Sequence, residues 1–243
     1  MKIAVIGGRG FVGSRLVDRL TAMGHEVGAH DRSSGVDLLT GNGLRGALED
    51  ADVVVNTIDA PSFDAEAGPF FHSTTENLLR AAADAGVGHI VLLSIVGIDR
   101  VTDVDYYTAK ILQEDLLANG PIPYSIVRAT QFMEFIERIM DWTSEGDTVR
   151  LPTTRIQPIA VAEVVDALAG VATGPPLNGT LNVAGPDVYT LDEIGRLTLR
   201  AHHDDRHVVV DESAGIFAAV PEDAITAPAD ARIGGTHYTD WLT

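Results

Sequence analysis

The chain has 243 residues, enough to bury a substantial core, with 45 % hydrophobic residues, no cysteine and a formal charge of −18 at pH 7. Without cysteine there is no disulfide scaffold and no thiolate metal site, and the acidity argues against nucleic acid and against an anionic membrane surface, both of which need clustered basic residues. No run approaches the ~20 apolar residues of a membrane span and nothing resembles a signal peptide, so the expected setting is cytoplasmic, with a small-molecule partner, no nucleic acid and no membrane.

The first predicted element is a β-branched strand over 2–6, which runs into a glycine-rich turn and then a helix over roughly 11–23. Gly7, Gly10 and Gly13 are spaced by three, and Gly8, Gly10 and Gly13 spell G-x-G-x-x-G. Such a turn lets bare backbone approach a pyrophosphate, and the helix that follows aims unpaired N–H groups and a partial positive charge at it. An ordinary tight strand-to-helix turn is the bland alternative. A second strand over 26–30 ends in His30-Asp31-Arg32-Ser33-Ser34, and a third covers 52–56. A long helix over about 68–85, a strand over 89–94, a helix over 105–119 and a strand over 124–128 follow. The inner strands are continuous apolar runs, as in a parallel sheet covered on both faces.

Beyond Arg128 the alternation weakens. A helix over 131–142, strands near 148–151 and 156–160, a helix over 161–172 and a strand near 180–183 are expected. A last helix is opened by the capping pair Thr190 and Glu193. The fold class is therefore α/β, a Rossmann-type doubly wound parallel sheet with a small C-terminal substrate-binding region. Residues 1–130 form the dinucleotide-binding core, and 131–243 form a smaller mixed region interleaved with it in a single compact unit. Helices on the sheet edge leave a homodimer open.

Only two of the 17 basic side chains are lysines, Lys2 and Lys110, so a lysine in mid-chain invites a chemical reading. Tyr106 and Lys110 stand at i and i+4 on one helical face, and Ser94 ends the preceding strand. The lysine can lower the phenol pKa so that Tyr106 exchanges protons, and Ser94 can hydrogen-bond a substrate carbonyl oxygen. Tyr107 at i+3 from Lys110 is also in reach, so spacing does not choose between the tyrosines. A chance face would instead leave Tyr106 half-buried and Lys110 in solvent.

Together these residues resemble the short-chain dehydrogenase/reductase superfamily, in its atypical NmrA-like branch. The resemblance runs through Leu93 to Asp99, Tyr106 to Glu114, Pro123 to Phe132, Gln157 to Ala160 and Asn178 to Pro186. It implies a Rossmann fold holding NAD(P) through Gly7, Arg9, Gly10, Phe11, Val12 and Gly13, with Asp31, Arg32, Asp37 and Leu38 at the adenosine end. Asn56, Thr57 and Lys110 would line the middle, and Thr130 and Phe132 the nicotinamide. Ser94, Tyr106 and Lys110 would be polariser, acid/base and lysine helper. The stretch Asn56-Thr57-Ile58-Asp59 departs from the Asn-Ala-Gly usual after the third strand. The branch holds both reductases and regulators that bind cofactor without turnover.

Asp31 suits a ribose hydroxyl and repels a 2′-phosphate, whereas Arg32 welcomes the phosphate. Arg9 beside Gly10 tips the reading to NADP(H) over NAD(H). The expected activity is NAD(P)H-dependent reduction of a carbonyl, quinone or conjugated C=C; the alternative is a non-catalytic dinucleotide sensor. A sugar-nucleotide isomerase with tightly held NAD is disfavoured, because the C-terminal region is short and carries no evident diphosphate cluster. No metal is expected: His202, His203, Asp204, Asp205 and His207 read as a solvated helix end. Asp99, Asp103 and Asp105 read as acids at a helix start. Phe63, Phe70, Phe71, Phe132 and Phe135 are candidates for a substrate pocket.

Overall fold

The computed structural model describes residues 1–101, 103–221 and 223–243. In chain order its elements are β1 (Lys2–Ile6), α1 (Phe11–Ala22), β2 (Glu26–His30), α2 (Leu44–Ala47), β3 (Val53–Asn56), α3 (Ala67–Ala85) and β4 (His89–Ile95). Then come α4 (Asp105–Ala118), β5 (Tyr124–Ala129), α5 (Ile136–Trp142), β6 (Ser144–Glu145), β7 (Thr148–Leu151) and β8 (Arg155–Ile156). The last are α6 (Val161–Thr173), β9 (Gly179–Ala184), β10 (Tyr189–Thr190), α7 (Leu191–Ala201), β11 (His207–Val210), β12 (Arg232–Ile233) and α8 (Tyr238–Trp241).

The chain divides into two compact units. Met1–Ser94, Asp105–Arg128 and Val164–Leu181 make the first; Ile95–Val104, Ala129–Glu163 and Asn182–Thr243 make the second.

In the first unit the strands stand in the order β9-β5-β4-β3-β1-β2. β1 runs parallel to both β2 and β3, and β3 parallel to β4. This is the doubly wound Rossmann-type order that the alternating pattern predicts. Side chains alternate across a strand, so both faces can be read from the buried residues. Ala4, Ile6, Val54, Ile90, Leu92 and Ile126 share one cluster with Leu78, Ala82 and Leu117 of α3 and α4. Ile3, Val5, Val53, Val55, Val91 and Val127 are buried on the alternate positions. Burial on both faces is why these strands carry no polar alternation.

In the second unit β12 runs parallel to the end of β9, β11-β7-β6 form a three-stranded sheet, and β10 pairs antiparallel with β8. Two expectations are corrected here. The strand expected over 156–160 shortens to β8, because Pro158 cannot donate to a ladder. Ile159 beyond it makes one isolated parallel bridge, to Phe132. The helix expected from 131 begins as a 3-10 turn at Met133–Phe135 and becomes α5 only at Ile136. Its first residues are taken by extended pairing: Ile159 N donates to Gln131 O at 2.9 Å and Met133 N to Ile159 O at 3.0 Å.

Candidate functional site

The turn between β1 and α1 is built from backbone. Gly7 and Gly8 donate to His30 O at 2.8 and 3.3 Å, and Gly10 donates to Gly7 O at 2.9 Å. Gly7 has φ +79°, a conformation that side-chain-bearing residues rarely adopt. A Cβ on Gly13 would lie 2.1 Å from Gly7 O and 2.9 Å from the Gly8 Cα, so only glycine lets helix and turn come this close. Gly10 caps α1 without a side chain, and the first turn holds no acid. Glycine packing and an uncapped helix start together fit a dinucleotide pyrophosphate. Val12 is buried behind the turn, and Arg15 donates to Phe11 O at 2.6 Å with its guanidinium 4.2 Å from the Phe11 ring centre.

Past β2, Asp31 Oδ1 accepts Ser33 Oγ at 2.7 Å and Ser34 N at 3.0 Å. Arg9 Nη1 donates to Ser33 Oγ at 2.5 Å and stands 3.7 Å from Asp31 Oδ1. The Ser33 hydroxyl holds the Asp31 carboxyl below the usual range, with smaller help from backbone N–H groups and Arg9. Arg32 is exposed in the same turn. Asp37 Oδ1 accepts Leu39 N at 2.9 Å, whereas the Leu38 side chain is absorbed in the core and its carbonyl accepts Asn77 Nδ2 at 2.8 Å. Asn56 is buried at the end of β3 with its amide oxygen on Ile58 N, and Thr57 Oγ1 donates to Ile6 O at 3.0 Å.

The first turns of α4 carry the acid–base candidates. Tyr106 and Lys110 are 7 % and 3 % exposed, which removes the chance-face alternative of a lysine in solvent. Lys110 Nζ donates to Leu93 O at 3.0 Å and Gln113 Oε1 at 2.5 Å, and lies 4.8 Å from the Phe71 ring centre. Burial pulls its pKa down to about 8, against the opposing charges of Asp59 and Glu114. Glu114 itself is held by Arg128 at 2.6 Å. Ser94, at the end of β4 beside Leu93, is 3 % exposed and its Oγ has no hydrogen-bond partner among the described residues.

The expected lowering of the Tyr106 pKa is corrected. The phenol donates to Asp59 Oδ1, and burial first, then the Asp59 charge, push it far above its ordinary value. Lysine at i+4 is turned to Leu93 and Gln113, so a carboxylate is the hydroxyl's direct partner. Sequence reasoning did not assign Asp59 a role. Its signal was the departure from Asn-Ala-Gly at 56–59, which flagged the segment without saying what the acid meets. Tyr107 is buried too, with its pKa pushed up to about 12 by that burial. Phe63 sets its ring edge on Tyr106 with centres 4.9 Å apart, and Phe71 lies 6.0 Å away. Phe70 stacks edge-on against Phe71 at 5.5 Å.

The remaining candidates lie in the second unit. Thr130 is buried, donates its N–H to Val183 O at 3.1 Å, and its Oγ1 has no partner among the described residues. Phe132 and Phe135 pack with ring centres 5.4 Å apart. In the histidine-rich turn, His202 faces Glu137 at 3.1 Å, Asp204 faces Arg206 at 2.8 Å and His207 faces Thr148 at 3.2 Å, so the three look to different partners.

Comparison with known proteins gives the family and the likeness of fold. Residues 7–170 match the family model described as NAD(P)H-binding. Sterol-4-alpha-carboxylate 3-dehydrogenase, decarboxylating, of Bos taurus is 29 % identical over 142 residues, covering 46 % of this chain and 40 % of that one. NADH dehydrogenase (ubiquinone) 1 alpha subcomplex subunit 9, mitochondrial, of Arabidopsis thaliana is 24 % identical over 226 residues, covering 79 % and 56 %. The chain thus spans only about half the length of the curated relatives it matches. Among solved structures, a nucleoside-diphosphate-sugar epimerase from Staphylococcus aureus superposes with TM-score 0.74 at 16 % identity, covering 100 % of this chain and 99 % of that one. UDP-glucose 4-epimerase of Thermus thermophilus, in complex with NAD, superposes with TM-score 0.71 at 19 % identity over 88 % of each chain. These two are likenesses of fold.

Proposed function

The chain belongs to the NAD(P)H-binding family, and from that premise we propose that it is an oxidoreductase, a reductase of the short-chain type acting on a carbonyl, quinone or conjugated C=C of a small molecule. When bound, the nicotinamide supplies the hydride. The turn at Gly7–Gly13 would hold the pyrophosphate, with Asn56 and Thr57 beneath it. Arg9, Ser33 and Arg32 would take a 2′-phosphate, which favours NADP(H) over NAD(H). The Asp31 charge is already engaged by Ser33, Ser34 and Arg9, which weakens its objection to that phosphate.

The observation that carries the catalytic reading is the Ser94 hydroxyl, buried and unpartnered among the described residues at the end of β4. A buried hydroxyl without a partner costs stability, and an acceptor oxygen of a substrate would satisfy it. Tyr106 would exchange the proton, and Lys110, depressed by burial, would position the ribose and stabilise negative charge. The alternative of a cofactor-binding regulator draws on Tyr106, whose hydroxyl is engaged by Asp59 and is a weak acid as it stands.

The test begins with NADPH and NADH titrations followed by nicotinamide fluorescence, then a panel of quinones, aldehydes, ketones and enones with the tighter cofactor. Tyr106→Phe should lower turnover about 10²–10⁴-fold with cofactor affinity unchanged. Dinucleotide binding without turnover on any of the panel would favour the regulator; binding of neither cofactor would refute both readings.

A further inference from the structure

Asp59 sits in the turn after β3. It is exposed, and one carboxylate oxygen, Oδ1, receives both Ala60 N at 2.8 Å and the Tyr106 hydroxyl. The Tyr106 ring is buried, with Phe63 meeting it edge to face and the Phe71 ring tilted beside it. A buried phenol is thereby joined to a solvent-exposed carboxylate. The other ionisable groups around the pair come from α4: Lys110, Tyr107 and Glu114, the last neutralised by Arg128. The rings of α3 and of the turn add no charge.

We propose that Asp59 and Tyr106 form one acid–base unit, in which Tyr106 relays a proton between a substrate oxygen and the Asp59 carboxylate. This rests on the oxidoreductase reading. With Asp59 ionised, the substrate O–H bond breaks toward Tyr106 Oη as the Tyr106 O–H bond breaks toward Asp59 Oδ1. The substrate loses one proton, Asp59 gains one, and the tyrosine ends as it began. In reduction the two transfers reverse and Asp59 starts protonated; being exposed, it is recharged from water. A free tyrosinate never has to form beside the carboxylate, which a buried site would oppose. The unit therefore takes protons when Asp59 is ionised and gives them when it is protonated, so reduction slows as pH rises.

The test follows the ultraviolet band of tyrosinate during alkaline titration. Wild type, Asp59→Asn and Asp59→Glu are each measured against the same protein carrying Tyr106→Phe, so that the difference reports residue 106 alone. Asp59→Asn should move its ionisation down by at least about one pH unit, a tenfold gain in tyrosinate at fixed pH, and Asp59→Glu should restore the wild-type position. Coincident curves for wild type and Asp59→Asn overturn the unit. Asp59→Ser gives a second carboxylate-free protein if the asparagine variant misfolds. Where turnover is found, Asp59→Asn should erase the fall of the reductive rate with pH. An unchanged profile overturns the relay and spares the oxidoreductase reading. A shifted tyrosine ionisation in a protein that turns over no substrate supports the pair and counts against that reading.

Discussion

Gly13 offers the sharpest test of how the glycine turn is built. A methyl group placed there as Gly13→Ala would meet Gly7 O at 2.1 Å, where ordinary contact begins at 3.4 Å. Helix and turn must therefore part by about 1 Å, and the obstacle is backbone that cannot rotate aside. Overpacking of this kind costs about 1–3 kcal/mol, and a rigid obstacle places Gly13→Ala at the upper end. For a chain of this size that lowers Tm by roughly 6–12 °C. Two neighbours grade the series. A Cβ on Gly10 would lie 3.1 Å from the same oxygen, a milder encroachment that a few tenths of an ångström relieves. A Cβ on Gly46 in α2 meets nothing within 4 Å, so Gly46→Ala should stabilise by about 0.5–1 kcal/mol. Thermal unfolding should rank the variants Gly46→Ala above wild type, then Gly10→Ala, then Gly13→Ala. Fluorescence titration should show dinucleotide affinity down at least tenfold for Gly13→Ala only. A Gly13→Ala protein with wild-type Tm and wild-type affinity would falsify the close approach as the reason for glycine.

Arg9→Ala should weaken NADPH by about tenfold, one lost charged contact to phosphate, and leave NADH unchanged; equal losses for both cofactors in parallel titrations would remove the 2′-phosphate assignment. Arg128→Met strands the buried Glu114 carboxylate, so chemical denaturation should show a loss of about 3–5 kcal/mol, and adding Glu114→Gln should recover part of it. His237 pairs with Asp187 at 2.9 Å, a hydrogen bond that raises the imidazole pKa above its ordinary value. Its contribution is fully present below the unfolded-state pKa and is lost as pH rises through the higher folded value. The Tm difference between wild type and His237→Ala should therefore shrink with rising pH across neutrality.

Much of this was legible because backbone and burial dictate it locally. The glycine turn is read from spacing alone, since close backbone packing restricts the same positions that spacing marks. The strands 2–6, 53–56 and 89–94 announce themselves as apolar runs because both sheet faces are covered. Lys110 stood out through the rarity of lysine, and it is buried. The partner of Tyr106 was not legible, because Asp59 is 47 residues away and arrives through a turn whose exit no periodicity fixes. Likewise the segment 131–135 has helical spacing, yet its backbone pairs with Ile159, and a tertiary hydrogen bond outweighs a local preference. β6, β10 and β12, two residues each, exist only through their neighbours and leave no pattern of their own.

The charge of −18 and an anionic cofactor look opposed until the helix starts are compared. α4 opens on Asp105, α5 has Glu137 in its first turn, α6 has Glu163, and α7 has Asp192 and Glu193. α3 lacks an acid in its first turn but is preceded by Glu66. Each of these acids favours its own helix by meeting the positive end of the dipole. α1 alone among the described helices of seven residues or more opens on glycine, with neither an acid in its first turn nor a side chain over its N–H groups. Among these longer helices the chain thus places acidity in or just before the first turn of all but one. Net charge governs long-range repulsion, which salt screens over about 10 Å. At the turn itself an incoming phosphate would meet backbone N–H groups and Arg9, whose side chain reaches Ser33 past β2. An acidic surface and a dinucleotide site are compatible because they act over different distances.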